Sequence, residues 1–563
     1  MGYTTAVGPG RSESINSREA QITLALSLVV GALVGLVVVA FILLTGRLAA
    51  RMYPAGGAAV RRVLIPVCGA LITGVLLIRF FPEARGSGIP QTKFALFIGD
   101  GYISLRTVIG KFVCCSASLA SGIALGREGP SVQMGAGIAS VLGRAFGLSA
   151  VNVRNLVPVG CAAALAAAFN TPIAAVLFSL EEIMGDLHAA ILGSVVISSA
   201  ASWMVLHLFL GDEPLFHVPA YHLINPSEFI VYVVLGVVGG LGSVAFVKLL
   251  LVLRIWFRKL PRRTLWIQPA VGGLTVGLFG WFRPEVLGVG YDYVERVLGG
   301  DLILRSVIVL AVLKIVATAV CYSSGNAGGI FGPSLFIGAM LGGCVGGVAH
   351  LWFPSSTADA GAYALVGMGT AFAGIVRTPL TSVIMIFEMT RDYSIIVPLM
   401  ISNLISFFVS YKLQPQPIYE ALAHQEGVEL PSIGDRELLG RLQVREGMLP
   451  ISLEANSLIH DVIGSLGNDG PATLPVVSEG RLLGLVTRSE LSTCPPGKFV
   501  KDAIPADVPN VTIYADQPLS LALEKMGANG VDALPVVSRS DRSKFVGTIT
   551  LTQALRGFGV ERP

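Results

Sequence analysis

The sequence predicts an all-α polytopic membrane domain made of two related halves with broken helices, followed by a smaller soluble α/β region with a repeat of its own. Three observations lead there. Of 563 residues, 53% are apolar and only 13% charged, whereas an ordinary globular domain carries about 25% charged residues. Apolar runs recur up to Tyr411, and several are interrupted by Gly-Pro or Asn-Thr-Pro. Beyond Tyr411 charged residues return, and no run is long enough to cross a bilayer. This balance excludes a disordered chain and argues against a wholly soluble enzyme. The net charge of +4 gives no support to a nucleic-acid partner.

In chain order, residues 1–18 are polar and read as a loose cytoplasmic tail. The run Ile22–Leu44 is too long for a signal-peptide core of roughly 7–15 residues and meets the ~20 needed to span hydrocarbon. Arg47, Arg51, Arg61 and Arg62 follow it as a basic loop, while Arg11 and Arg18 precede it, so charge leaves the orientation open. Further runs are Leu64–Phe81, Val108–Leu125, Leu156–Leu180, Ala189–Leu210, Phe229–Leu253 and Val271–Phe282. The second half continues with Leu302–Val320, Ile330–Val348, Ala364–Val376, Leu380–Phe387 and Ile395–Val409. Short or broken apolar segments are tolerated in a membrane only where protein or a water-filled cavity satisfies the freed backbone. Breaks of this kind point to a transport site. The seven cysteines lack CxxC spacing and read as small packing residues, with no metal site or disulfide framework.

The membrane half contains a repeat. Gly126-Arg-Glu-Gly-Pro130 aligns with Gly329-Ile-Phe-Gly-Pro333 at an offset of 203, and Thr171-Pro172…Glu181 aligns with Thr378-Pro379…Glu388 at an offset of 207. Two halves of similar design place a site at their interface. Gly86-Ser-Gly-Ile-Pro90 has the same design as the two Gly-Pro strings. Glycine lets the backbone turn, and proline suits the first helical turn that follows. Each string therefore aims free N–H groups and the positive end of a helix dipole at one spot. Three such starts would hold an anion without a full positive charge, weakly enough for release.

Glu128 stands at one of these starts, where a carboxylate takes the place of an anion and protonation would free it. An ion pair with the adjacent Arg127 is the structural alternative. Glu181 and Glu182 form a second intramembrane acidic pair: one is expected to cap a helix or pair with Lys111, Lys314 or Arg377, and the other to relay protons. Glu388, the counterpart of Glu181, reads as structural.

In the C-terminal region, Leu474-Pro-Val-Val477 recurs as Leu534-Pro-Val-Val537 at an offset of 60. Each copy is preceded by a helix-like stretch, Ile459–Leu466 and Leu519–Met526, and followed by a β-branched strand, Gly484–Thr487 and Gly547–Thr550. The pair resembles tandem CBS modules, at 441–495 and 496–563, behind a linker at 415–440 and a membrane domain at 19–414.

The strings GSGIP, GREGP and GIFGP in this order, with Tyr419 after the last span and the CBS-like pair behind, resemble the CLC family of chloride channels and proton/chloride antiporters. That resemblance implies inverted repeats with re-entrant helices and a homodimer with one anion pathway per subunit. It assigns the hydroxyls of Ser87 and Tyr419 and the N–H groups of Ile330 and Phe331 to chloride, Glu128 to the gate, and Glu182 to internal proton transfer. It implies voltage- and pH-sensitive chloride transport, with chloride and protons as the transported partners and antiport favoured by the acidic residue at position 182. A passive channel regulated by the CBS modules is the alternative. Ser87 matches members that prefer chloride. Compact loops favour a bacterial cytoplasmic membrane with the C-terminal region in the cytoplasm. In nucleotide-binding CBS pairs a Thr or Ser followed by Asp holds phosphate and ribose. Here Thr487 is followed by Glu490, and Thr550 by Gln553, so an adenine nucleotide is the less favoured reading and no other cofactor is implied.

Two other classes fail on residue chemistry. A divalent-cation transporter needs clustered oxygen ligands in its path, where helix N-termini would repel the cation. A membrane enzyme needs a nucleophile–base pair or metal cluster, and neither HExxH nor GxSxG occurs.

Overall fold

The computed structural model describes residues 9–558 apart from 55, 188–190, 220, 222–223, 302, 429, 431–441, 466–469, 496 and 506–510; for residues 9–20 and 465 it describes the backbone alone. Contacts divide the chain into two compact units, Met1–Leu430 and Pro431–Pro563.

The first unit is helical. Its elements are α1 (Pro9–Met52), α2 (Arg61–Arg79), α3 (Ile89–Phe97), α4 (Leu105–Ala120), α5 (Glu128–Ala145), α6 (Ala150–Phe169), α7 (Pro172–Phe178), α8 (Leu192–Leu210), α9 (Glu228–Lys259), α10 (Gln268–Phe282), α11 (Tyr291–Leu298), α12 (Leu304–Ser323), α13 (Phe331–Trp352), α14 (Ala360–Val376), α15 (Pro379–Thr390), α16 (Ile396–Leu413) and α17 (Ile418–Gln425). Among the described residues eight helices are long and apolar enough to cross a membrane. By contrast α3, α7, α11, α15 and α17 have 7–12 residues. At ~1.5 Å per residue these are shorter than the ~30 Å hydrocarbon layer. The run expected over Leu156–Leu180 breaks at Asn170, whose φ of 59° ends α6 before Pro172 opens α7.

Two expectations are corrected. Helix α1 already runs from Pro9, so the loose tail expected over 1–18 is helical in its second half; Ser, Glu, Arg and Ala are compatible with a helix that the apolar run propagates. The linker expected at 415–440 is not wholly a linker: α17 lies within it and packs into the membrane unit through Ile418, Tyr419 and Leu422.

The sequence repeat becomes a local two-fold relation. Gly126 and Gly329 form an antiparallel bridge, each N–H donating to the other's carbonyl at 2.7 Å. Lys111 on α4 donates to the carbonyls of Ala84 and Gly86, and Lys314 on α12 donates to those of Val286 and Gly288. Glu181 accepts the N–H of Thr381 at 2.8 Å at the start of α15, while Glu388 accepts that of Ala174 at 2.7 Å at the start of α7. Reciprocal bonds between antiparallel segments are what an inverted repeat requires.

Glycines bring the helices of each half together. A Cβ at Gly135 of α5 would lie 2.2 Å from the Gly160 carbonyl oxygen on α6, and one at Gly338 of α13 would lie 2.3 Å from that of Gly367 on α14. Gly135→Ala is therefore expected to force α5 and α6 apart and destabilise the unit by about 1–3 kcal/mol. A lowered thermal midpoint of the purified protein is the readout, and an unchanged midpoint would count against this close approach.

The second unit holds two three-stranded sheets of one design. Strands β1 (Leu453–Glu454), β2 (Thr473–Ser478) and β3 (Arg481–Thr487) form the first, and β4 (Ile513–Tyr514), β5 (Ala533–Val537) and β6 (Phe545–Thr550) the second. In each, a parallel pair is followed by an antiparallel one, with the register shifting at Val476/Val477 and again at Val536/Val537. Helices Ile459–Ser465 and Leu519–Asn529 precede the central strands; Leu466 falls outside the described residues. Packing crosses the division drawn at 495/496. Val500 and Ala503 join the first module's core, and Val444 joins the second's.

Candidate functional site

Three chain breaks meet in the first unit. Gly86 and Gly88, with φ of 88° and 104°, take a left-handed conformation that side chains resist, and α3 starts directly after them. A Cβ at Gly88 would be 2.4 Å from the Gly129 carbonyl oxygen, and one at Gly129 would be 2.5 Å from that of Ser87. A Cβ at Gly329 would stand 3.1 Å from Gly129 N. The starts of α3, α5 and α13 thus touch through bare backbone, as the sequence predicted.

Around this point the structure gathers the expected residues. Ser87 is fully buried in the turn before α3, and Tyr419 is buried on α17; among the described residues neither Ser87 Oγ nor the Tyr419 hydroxyl meets a hydrogen-bond partner. Buried hydroxyls without partners are costly unless a ligand uses them. Ile330 and Phe331, also buried, open α13, where N–H groups lack a carbonyl one turn earlier. Glu128 is fully buried at the start of α5, and its Oε2 accepts the Gly332 N–H at 3.1 Å across the repeat interface. Its Oε1 accepts the Tyr291 hydroxyl. Arg127 stands at the N-cap of α5, with Nε 3.9 Å from Glu128 Oε1; among the described residues that Nε has no hydrogen-bond partner, while Nη2 donates to the Ala168 carbonyl at 3.5 Å. The glutamate is thus held by neutral donors from the second repeat, with Arg127 at the outer edge of ion-pair distance.

Glu181 and Glu182 separate in a π-helical turn, Ser179–Met184. Glu181 turns to the α15 N-terminus and also accepts the Thr381 hydroxyl at 2.6 Å. Glu182 points inward and pairs with Lys93 of α3 at 2.9 Å. The expected partners Lys111, Lys314 and Arg377 are instead bound to carbonyls. Each of those ammonium and guanidinium groups closes a loop end, which removes it from the acidic pair. Tyr419 lies within electrostatic reach of both Glu182 and Glu128.

The sequence reading missed four features. Lys93 is one; an intramembrane lysine four residues into a helix calls for an acidic partner. A fourth glycine turn is another: Gly288-Val-Gly-Tyr291 matches Gly86-Ser-Gly-Ile89 at an offset of 202, again with positive φ at both glycines. Thirdly, the Phe331 ring packs against Phe169, Phe178 and Phe372 at centroid distances of 4.8, 5.4 and 4.4 Å. The isolated Phe169 after Ala162–Ala168 was its only sequence signal. Finally, a cavity of about 500 Å³ beside Gly86 is lined by Arg85, Arg254, Arg258 and Arg262 together with Glu83 and Glu426, a largely basic approach to the turn.

In the second unit Thr487 Oγ1 and N–H both donate to Glu490 Oε2, at 2.7 and 2.6 Å. Thr550 does the same toward Gln553 Oε1 at 2.9 and 3.1 Å. These are capping boxes at helix starts. A structural role therefore accounts for Thr487, Glu490 and Thr550.

A family model described as voltage gated chloride channel matches residues 68–411 of this chain, and a CBS domain model matches residues 500–559. The H(+)/Cl(-) exchange transporter ClcA of Vibrio campbellii is 33% identical over 372 residues, 64% of this chain and 79% of that protein. The crystal structure of a slow cyanobacterial Cl-/H+ antiporter superposes with a TM-score of 0.66 at 28% identity, covering 72% of this chain and 97% of that one. A eukaryotic CLC transporter shares the fold over 95% of this chain and 98% of its own, with a TM-score of 0.62 at 20% identity.

Proposed function

The chain belongs to the voltage-gated chloride channel family, and on that premise we propose that this multi-pass membrane protein exchanges chloride for protons. The observation that carries the reading is the seat of Glu128: a carboxylate bound by the Gly332 N–H at the meeting point of helix starts. An anion of chloride's charge competes for the same donors, with Ser87, Tyr419, Ile330 and Phe331 as its further contacts. Protonation removes the carboxylate's charge, so a proton and a chloride alternate at one place. Glu182, buried beside Lys93, supplies the second proton-binding group. Similarity to a ClcA exchanger and to a cyanobacterial antiporter supports exchange over passive flow.

The assembly proposed is a homodimer in a bacterial cytoplasmic membrane. Support comes from α7 and α15, whose N-terminal amide–carboxylate bonds include exposed ones at Ile173 and Leu380; lipid tolerates such groups poorly, and a second copy would cover them. For the C-terminal unit, placed in the cytoplasm, the capping boxes favour a stabilising or regulatory role over nucleotide binding.

Vesicles containing the purified protein and a chloride gradient test the reading. Protons are expected to move uphill, driven by chloride. Chloride flow without proton movement would make the protein a passive channel, and divalent-cation flux would overturn the anion site altogether.

A further inference from the structure

We propose that Tyr291 is a latch on the Glu128 gate: its hydroxyl holds the ionised carboxylate in the anion seat and so sets the proton and chloride concentrations at which the seat opens. This rests on the gate reading of Glu128 above and adds a positioning residue to it.

Tyr291 is delivered to the seat by a braced turn. Gly288 and Gly290 carry φ of 63° and 85°, and α11 begins at Tyr291 itself. Gly288 N–H donates to the Gly122 carbonyl at 2.8 Å, and Lys314 Nζ donates to the Gly288 carbonyl at 2.7 Å. The phenol then donates to Glu128 Oε1 while Gly332 N–H holds Oε2 at 3.1 Å. Gly332 leaves room for both: a Cβ there would be 3.0 Å from Glu128 Oε2 and 3.0 Å from the Tyr291 hydroxyl oxygen.

The ring is equally constrained. Phe216 packs edge-on against it at 5.6 Å, and the Arg127 guanidinium lies 5.5 Å from its centroid. Next to Phe216, His217 is tied to Glu295 of α11 at 2.9 Å, so the loop that carries Phe216 is fastened to the same helix. The hydroxyl is not a by-product of the repeat, because the corresponding residue of the first half is Ile89.

A phenol donates more strongly to an ionised carboxylate than to a neutral carboxyl. The bond therefore favours the seated, charged form of Glu128 and weakens when a proton arrives. Among the described residues, the charged or titratable groups facing Glu128 are Arg127 at its own helix start, Tyr291 from α11 and Tyr419 from α17, while α13 contributes the Gly332 N–H. Of the two tyrosines, Tyr291 is the one whose hydroxyl donates to the carboxylate, and phenylalanine in its place deletes that hydroxyl while keeping the ring packing.

The test compares wild-type, Tyr291→Phe, Glu128→Gln and the double variant, each full-length in vesicles, by chloride efflux across a pH series and a chloride series. Tyr291→Phe is expected to reach half-maximal efflux at about tenfold lower proton concentration and to half-saturate at lower chloride. In the Glu128→Gln background the same substitution should move neither curve. Wild-type curves for Tyr291→Phe would overturn the latch, as would an equal shift in both backgrounds, which would mark a packing effect. A Glu128→Gln variant that kept coupled, pH-dependent transport would instead refute the underlying gate reading.

Discussion

Glu128→Gln is expected to carry chloride while proton movement falls by roughly two orders of magnitude, the scale lost with one positioned acid–base group. Glutamine keeps the size of the side chain and an oxygen for the Gly332 N–H, which Glu128 binds at 3.1 Å. It cannot take up a proton, and it has no charge with which to displace an anion from the helix starts. Chloride efflux should accordingly lose its dependence on pH. Simultaneous chloride and proton electrodes on loaded vesicles measure both quantities, and uphill proton pumping at the wild-type rate would remove Glu128 from the gate.

The second large effect is expected at the buried Lys93–Glu182 pair. Glu182→Val should abolish proton movement and leave chloride flux largely intact. It also strands Lys93, and breaking a buried pair from one side costs about 3–5 kcal/mol. Lost transport in the single variant would therefore be ambiguous by itself. The double variant Lys93→Met/Glu182→Leu resolves this, because replacing both charges by apolar groups of similar size is often neutral or stabilising. We expect it to regain the thermal midpoint and chloride flux while remaining silent for protons. Proton flux at the wild-type level in the double variant would show that neither residue lies on the proton route.

Much of the site was legible because it is written in backbone chemistry. Glycine followed closely by proline is a weak mark of a turn into a helix when it stands alone, but GSGIP, GREGP and GIFGP together in an apolar background are a strong one, and the offset of 203 paired the last two. Glu128 stood out as a charge with no apolar excuse. The tandem β units were equally plain from an offset of 60. The fourth turn, Gly288–Tyr291, escaped because it lacks the proline that flagged the others.

Partners across the membrane unit were not legible. Lys111 and Lys314 were the obvious mates for the acidic pair, yet each closes the loop end of its own half, and Lys93 takes Glu182 from 89 residues away. Tyr291 reaches Glu128 across 163 residues, and Gly332 across 204.

The chain by itself determined where backbone must turn, where charge sits in apolar surroundings and that two halves share one plan, since each follows from local conformational and solvation preferences. Only the tertiary structure decided which donors Glu128 and Glu182 meet. That choice depends on which helix faces glycine contacts press together, and a side chain's partner in a crossed bundle is a matter of distance in space, for which spacing along the sequence carries no rule.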